Sequence, residues 1–197
     1  MVIRGGTVVN AAEISKCDVG VKGGRIIALG ENLTAGAQEI DATGKYVMPG
    51  GIDSHCHIDQ RSSGGGRNSE TFESGTRSAA CGGTTTIICF AAQEKGELLT
   101  PIVEEYHAKA KQSCIDYSFH LIISDPSDEV IHKEVPKLIK AGHRSLKLFM
   151  TYPRNRLNDA EILRVLEVAK LNQALVCLLY TSPSPRDRTR ARMPSSA

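Results

Sequence analysis

From Tyr46 onward, apolar runs of strand length alternate with stretches of helical periodicity, and that rhythm leaves the chain few folds to choose from. Strands are expected at Val47–His57, Thr84–Phe90, Tyr117–Ser124, Ser145–Met150 and Ala174–Leu179. Helices are expected near Thr71–Cys81, Leu98–Gln112, Ser127–Ala141 and Asn158–Leu171. Strand followed by helix, repeated, marks parallel β/α units, because a parallel partner is reached only through a crossover of a dozen or more residues. The last helix is the best marked. Asn158 can cap it, Glu161 completes a capping pair three residues on, and Ile162, Val165, Leu166 and Ala169 form one apolar stripe. Gly142 suits the end of the helix before it, whereas Pro136 inside that helix predicts a kink or a start nearer Glu134.

Residues 1–46 have a different texture. Val2–Val9, Asp18–Gly30 and Gln38–Ala42 are short β-branched runs broken by Gly and Asn turns, which reads as a small β module preceding the β/α region of residues 47–176.

Composition excludes several classes of function. With 41% hydrophobic and 23% charged residues in 197, the chain has an ordinary soluble balance and enough apolar side chains for a sizeable core. No apolar run of about 18 residues occurs and no basic, then apolar, leader opens the chain, so no membrane association and a cytoplasmic location are expected. The formal charge of +2 does not point to nucleic acid. Arg186, Arg188, Arg190 and Arg192 against Asp187 account for more than that excess near the C-terminus, and no basic patch interleaved with aromatics is present. The six cysteines are scattered without a C-x-x-C pair, which favours reduced thiols.

The candidate chemistry begins at His55 and His57. Side chains two apart on an extended strand project the same way, so both imidazoles can reach one metal ion, while Cys56 between them points to the opposite face and is expected to pack. The pair follows a Pro-Gly-Gly turn at a strand end, where parallel α/β folds place their chemistry. Lys147 lies in the middle of the apolar strand Ser145–Met150, where an ammonium is costly unless paired or chemically changed. The pattern alone leaves open whether it snorkels from a strand edge. Asp59–Arg67 is polar and glycine-rich without P-loop spacing, and is expected to be a loop over a site.

Pro49-Gly50-Gly51-Ile52-Asp53-Ser54-His55-Cys56-His57, then Gly75–Thr86 with its Cys-Gly-Gly-Thr-Thr-Thr end, then Ser145–Tyr152, resemble in order and spacing the dihydropyrimidinase and D-hydantoinase family of the amidohydrolase superfamily. The resemblance runs from Met1 to about Val176. It implies the N-terminal part, about five strands, of a (β/α)8 TIM barrel preceded by a small β-sandwich module. It also implies two divalent metal ions, usually zinc, bridged by carboxylated Lys147, with His55 and His57 as further metal ligands and Tyr152 as a catalytic and substrate-binding residue that hydrogen-bonds the oxyanion. The implied substrate is a small cyclic amide. The parent would hydrolyse the ring amide of dihydropyrimidines or 5-substituted hydantoins to N-carbamoyl amino acids, and would assemble as a homotetramer. The chemistry is coherent: a carbamate binds two cations about 3.5–4 Å apart, and metal coordination lowers the pKa of a shared water toward ~7. Asp53 is assigned to orientation or packing. Alternatives are a non-catalytic assembly protein of the same family, or another cyclic amidase such as an allantoinase or dihydroorotase; Tyr152 in the lysine-strand context favours the dihydropyrimidinase branch.

The pattern is broken after Val176. The resemblance calls for a strand-end histidine there, then a further histidine and an aspartate, and none follows. Cys177–Asp187 instead resembles a translated sequencing-library adapter and Arg192–Ala197 its distal end, so 177–197 is expected to be a non-native or disordered tail. This chain by itself is expected to be inactive.

Overall fold

The computed structural model describes residues 1–61 and 66–179. The chain divides at Gly51/Ile52 into two units. The first is a five-stranded sheet of β1 (Val2–Val9), β2 (Ile14–Lys22), β3 (Arg25–Gly30), β4 (Glu39–Asp41) and β5 (Tyr46–Val47). Its order is β3-β2-β1-β4, with β5 also paired to β1. β2 and β3 form an antiparallel hairpin. Gly23 and Gly24, at φ +57° and +72°, supply the two left-handed residues that a tight hairpin turn demands. Asp18 ties the sheet to its loops, accepting from Gly5 N (2.9 Å), Leu33 N (3.2 Å) and Arg4 Nη1 (3.1 Å). These donors hold its carboxyl below the usual range.

The second unit is strictly β/α. It contains β6 (Gly51–Cys56), α1 (Phe72–Cys81), β7 (Thr84–Ala92), α2 (Leu99–Ala110), β8 (Asp116–Ile122), α3 (Val135–Lys140), β9 (Ser145–Phe149), α4 (Asp159–Leu171) and β10 (Leu175–Leu179). Its strands lie in chain order, β10-β9-β8-β7-β6, and curl into a half-barrel. The registered pairs β7·β8, β8·β9 and β9·β10 are parallel. Alternation sorts each strand onto two faces. Cys89, Ala91, Phe119, Leu121, Leu146 and Leu148 face the helices and form the main core with Leu99, Val103, Val135 and Val165. Phe90, Ile122 and Phe149 form a smaller cluster on the concave face. Among the described residues, no helix is long and apolar enough to cross a membrane.

Local signals explain the helix ends. Asn158 accepts from Glu161 N (2.9 Å) and Glu161 reaches back to Asn158 N (2.7 Å), the expected capping box. Thr71 and Ser74 do the same for α1. Two expectations need correction. Val47–His57 is not one strand: Val47 closes β5 in the first sheet and Gly51 opens β6 in the second, with Pro49, which has no N–H to give a ladder, between them. Ser127–Ala141 is not one regular helix, because a π-turn at Val130–Glu134 precedes α3, with Val135 N bonding Val130 O. Pro136 cannot donate to the carbonyl one α-turn back, and the widened turn just ahead of it accommodates the ring. At the other end, β10 continues through Leu179, so Cys177 to Leu179 extend the sheet; the rest of the expected tail, 180–197, lies outside the described residues, as do 62–65 of the glycine-rich loop.

Candidate metal centre

The concave face brings the sequence-predicted residues together. His55 ends on β6 and His57 lies one residue past it; both rings pack on Phe90 of β7, with centroids 4.8 Å and 4.7 Å away, and 5.5 Å separates the two imidazoles. Cys56 points the other way, against the helix-facing core. Asp53 Oδ1 accepts the backbone N–H of His55 (3.0 Å), so it braces the strand end that carries the pair. His57 Nδ1 faces Gln60 Oε1 at 2.6 Å. An amide oxygen there places the imidazole proton on Nδ1 and leaves the Nε2 lone pair available to a cation.

Lys147 of β9 shares this face. It pairs in register with Ile122 of β8 and Cys177 of β10, and its Nζ lies 5.2 Å from the Phe149 ring centre. The residue is only 5% exposed. Its Nζ meets Cys177 Sγ at 3.6 Å, and among the described residues no carboxylate forms an ion pair with it. A buried ammonium without an anion is a costly arrangement, and a side chain that gives up its positive charge removes the cost. The His55 imidazole is held below its ordinary value, first by burial and then by its basic neighbours His57, Lys147 and His120. A neutral imidazole is the form that binds metal.

No three His, Cys, Asp or Glu side chains among the described residues converge on one point, so the donor set here is two imidazoles and a convertible amine. That set could hold part of a metal centre.

Two neighbours carried no periodic signal in the sequence. His120 of β8 joins strands beneath the site, with Nδ1 2.6 Å from Ser145 Oγ and Nε2 2.8 Å from Ser54 O. A histidine inside the apolar stretch Phe119–Ile123 was the available clue, of the same kind as Lys147. Gln60 sits in a loop, where no pattern distinguishes it.

Tyr152 follows β9 in the loop over the same face. It lines a cavity of about 470 Å³ together with His57, Gln60, Phe149, Arg154 and Asn155. The side chain is 59% exposed and the backbone sits at φ +62°. A bulky residue in the left-handed region costs on the order of 1–3 kcal/mol and persists only where the surroundings hold it, as they do at sites of function. The hold is visible here: Asn155 N and Arg156 N both bond Tyr152 O at 2.9 Å, and Leu157 N bonds Phe149 O at 3.0 Å.

Comparison with known proteins agrees with this geometry. Residues 46–178 match the model of the Amidohydrolase family. The chain is 46% identical over 178 residues to a D-hydantoinase of Geobacillus stearothermophilus, covering 88% of this chain and 37% of that enzyme. It is 43% identical over 185 residues to a D-hydantoinase of Streptomyces coelicolor, covering 90% and 39%. A solved D-hydantoinase structure superposes with a TM-score of 0.86 at 40% identity, over 90% of this chain and 39% of the other. The dihydropyrimidinase of Brevibacillus agri gives 0.85 at 40% identity with the same coverage. The chain thus spans about two-fifths of the length of these relatives. Proteins of the matched family generally use a binuclear metal centre. On its fold, its concave-face histidines and the match over most of its length, this chain belongs to the amidohydrolase family.

Proposed function

We propose that the full-length protein of which this chain forms part hydrolyses the ring amide of 5-substituted hydantoins or dihydropyrimidines, giving N-carbamoyl amino acids. The observation that carries the reading is the buried Lys147, paired with no carboxylate among the described residues, on the same face as His55 and His57. Its neutral amine adds CO2 and releases a proton, and the carbamate that results is an anion with two oxygens. Together with His55 and His57 it would hold two divalent ions, zinc by the donor chemistry. Bound there, such ions supply an activated water and a Lewis acid for the ring carbonyl.

The chain's own residues do the rest. Gln60 fixes the His57 tautomer and Asp53 braces the strand end. Attack on the ring carbonyl creates a tetrahedral oxyanion, and the Tyr152 phenol donates a hydrogen bond to it, a type of contact worth roughly 3 kcal/mol. A cavity of about 470 Å³ matches a small ring with a side group, within the usual range for small-molecule sites. The further ligands that complete such a centre would lie in the part of the protein beyond this chain.

The test is turnover by the full-length protein on hydantoin, dihydrouracil, allantoin and dihydroorotate. Hydrolysis of hydantoin or dihydrouracil is expected. Turnover of dihydroorotate alone would overturn the assignment.

A further inference from the structure

Gln93, one residue past β7, is 1% exposed, and its amide is used to capacity. Nε2 donates to Glu97 O (2.6 Å) and Asp125 O (3.2 Å). Oε1 accepts from Ser124 N (2.9 Å) and Asp125 N (3.0 Å). One side chain therefore joins the loop after β7 to the loop after β8 as a ladder joins strands. Gly96 N reinforces the junction by donating to Asp125 Oδ2 (2.7 Å).

The loop after β9, which carries Tyr152, is fastened to the same two places. Arg154 pairs with Glu94, the residue next to Gln93. Ser124, whose N–H Gln93 receives, donates from Oγ to Asn155 Oδ1 (3.5 Å). Tyr152 itself stands at φ +62° and needs such fastening to stay there.

We infer that Gln93 is the positioning residue for Tyr152: by locking together the two loops to which the Tyr152 loop is tied, it sets where the phenol stands in the cavity. The inference rests on the hydrolytic reading above for its catalytic consequence, and on the hydrogen bonds alone for its structural one. Gln93 stands in the wall of the same cavity, but it is 1% exposed and its amide is spent on four backbone contacts, so it acts on the reaction through the loops it joins. Its effect passes through Tyr152, which makes it separable from a general role in stability.

The experiment is a double-substitution cycle in the full-length protein with Gln93→Met, Tyr152→Phe and the two combined. Gln93→Met is expected to lower kcat by about tenfold while KM changes by less than about threefold, and to cost under about twofold further when Tyr152 is already Phe. Equal losses in the two backgrounds would overturn the inference. Should Gln93→Met not fold, Gln93→Glu runs the same cycle, since it keeps both acceptor contacts and replaces only the two donors. If the unsubstituted protein hydrolyses none of the four cyclic amides, the hydrolytic reading fails by itself, and amide hydrogen exchange in the 197-residue chain decides the tether. Faster exchange at Asn155 and Arg156 in Gln93→Glu would uphold it, and unchanged exchange there would refute it.

Discussion

Lys147→Met separates an amine kept for chemistry from one kept for structure. Lys147 is 5% exposed, and its Nζ has a thiol at 3.6 Å and an aromatic face at 5.2 Å for company. A buried donor so poorly matched costs about 1–3 kcal/mol, and more when charged. Methionine keeps the unbranched stem, fills the same space and places a polarizable sulfur toward Phe149. In metal-free, CO2-depleted buffer the substitution should therefore stabilise the 197-residue chain by about 1–3 kcal/mol. At a urea dependence of about 1–3 kcal/mol per molar, that moves the unfolding midpoint upward by roughly 1 M. Adding zinc and bicarbonate should close most of that gap, because only the lysine chain can supply a carbamate beside the two imidazoles, and binding at a hundredfold excess over Kd contributes about 2.7 kcal/mol. A midpoint that falls on substitution in metal-free buffer would show the ammonium contributing to the fold, and the reasoning would be wrong.

Three other outcomes follow from the same structure. Asn158→Ala removes the acceptor that caps α4 and should cost about 1 kcal/mol, seen as a Tm lower by about 2–4 °C. His143 is held below its ordinary imidazole value by burial and then by His107, and its Nδ1 is buried without a hydrogen-bond partner among the described residues. The unfolded chain thus takes up this proton at higher pH than the folded one. The stabilising contribution is complete above the unfolded value of about 6.5 and is lost as pH falls below it, so His143→Phe should flatten the fall in denaturation midpoint between about pH 7 and pH 5. Leu175, 67% exposed on β10 at the end of the described sheet, should drive self-association; Leu175→Lys should raise the concentration at which light scattering first appears, and no change would argue against an exposed sticky edge.

Much of the second unit could be read from the sequence because its strands and helices each carry their own signal. The apolar run of strand length at Thr84–Phe90 and the Asn158/Glu161 cap need no distant partner to be recognised. Elements whose form depends on a neighbour were harder. Met48-Pro49-Gly50 separates two sheets that an apolar run alone joins into one strand, and the π-turn before Pro136 answers a local steric demand that periodicity does not encode. At the site, His55 and His57 stand out by their two-residue spacing, and Lys147 as a charge inside an apolar strand. His120, Gln60 and Gln93 were missed for two reasons. Gln60 and Gln93 act from loops, the first through the His57 ring and the second through backbone groups, and His120 becomes meaningful only once β6 and β9 lie within its reach. The left-handed Tyr152 likewise declares itself only in the backbone.

The account stands on Lys147 exchanging its charge for a carbamate that grips metal beside the two imidazoles. The most direct measurement is 13C NMR of the full-length protein equilibrated with zinc and 13C-labelled bicarbonate. One protein-bound carbamate resonance, lost in Lys147→Arg and on chelation, is the predicted result. A spectrum without that resonance, from protein that nonetheless binds two metals and turns over substrate, would contradict it.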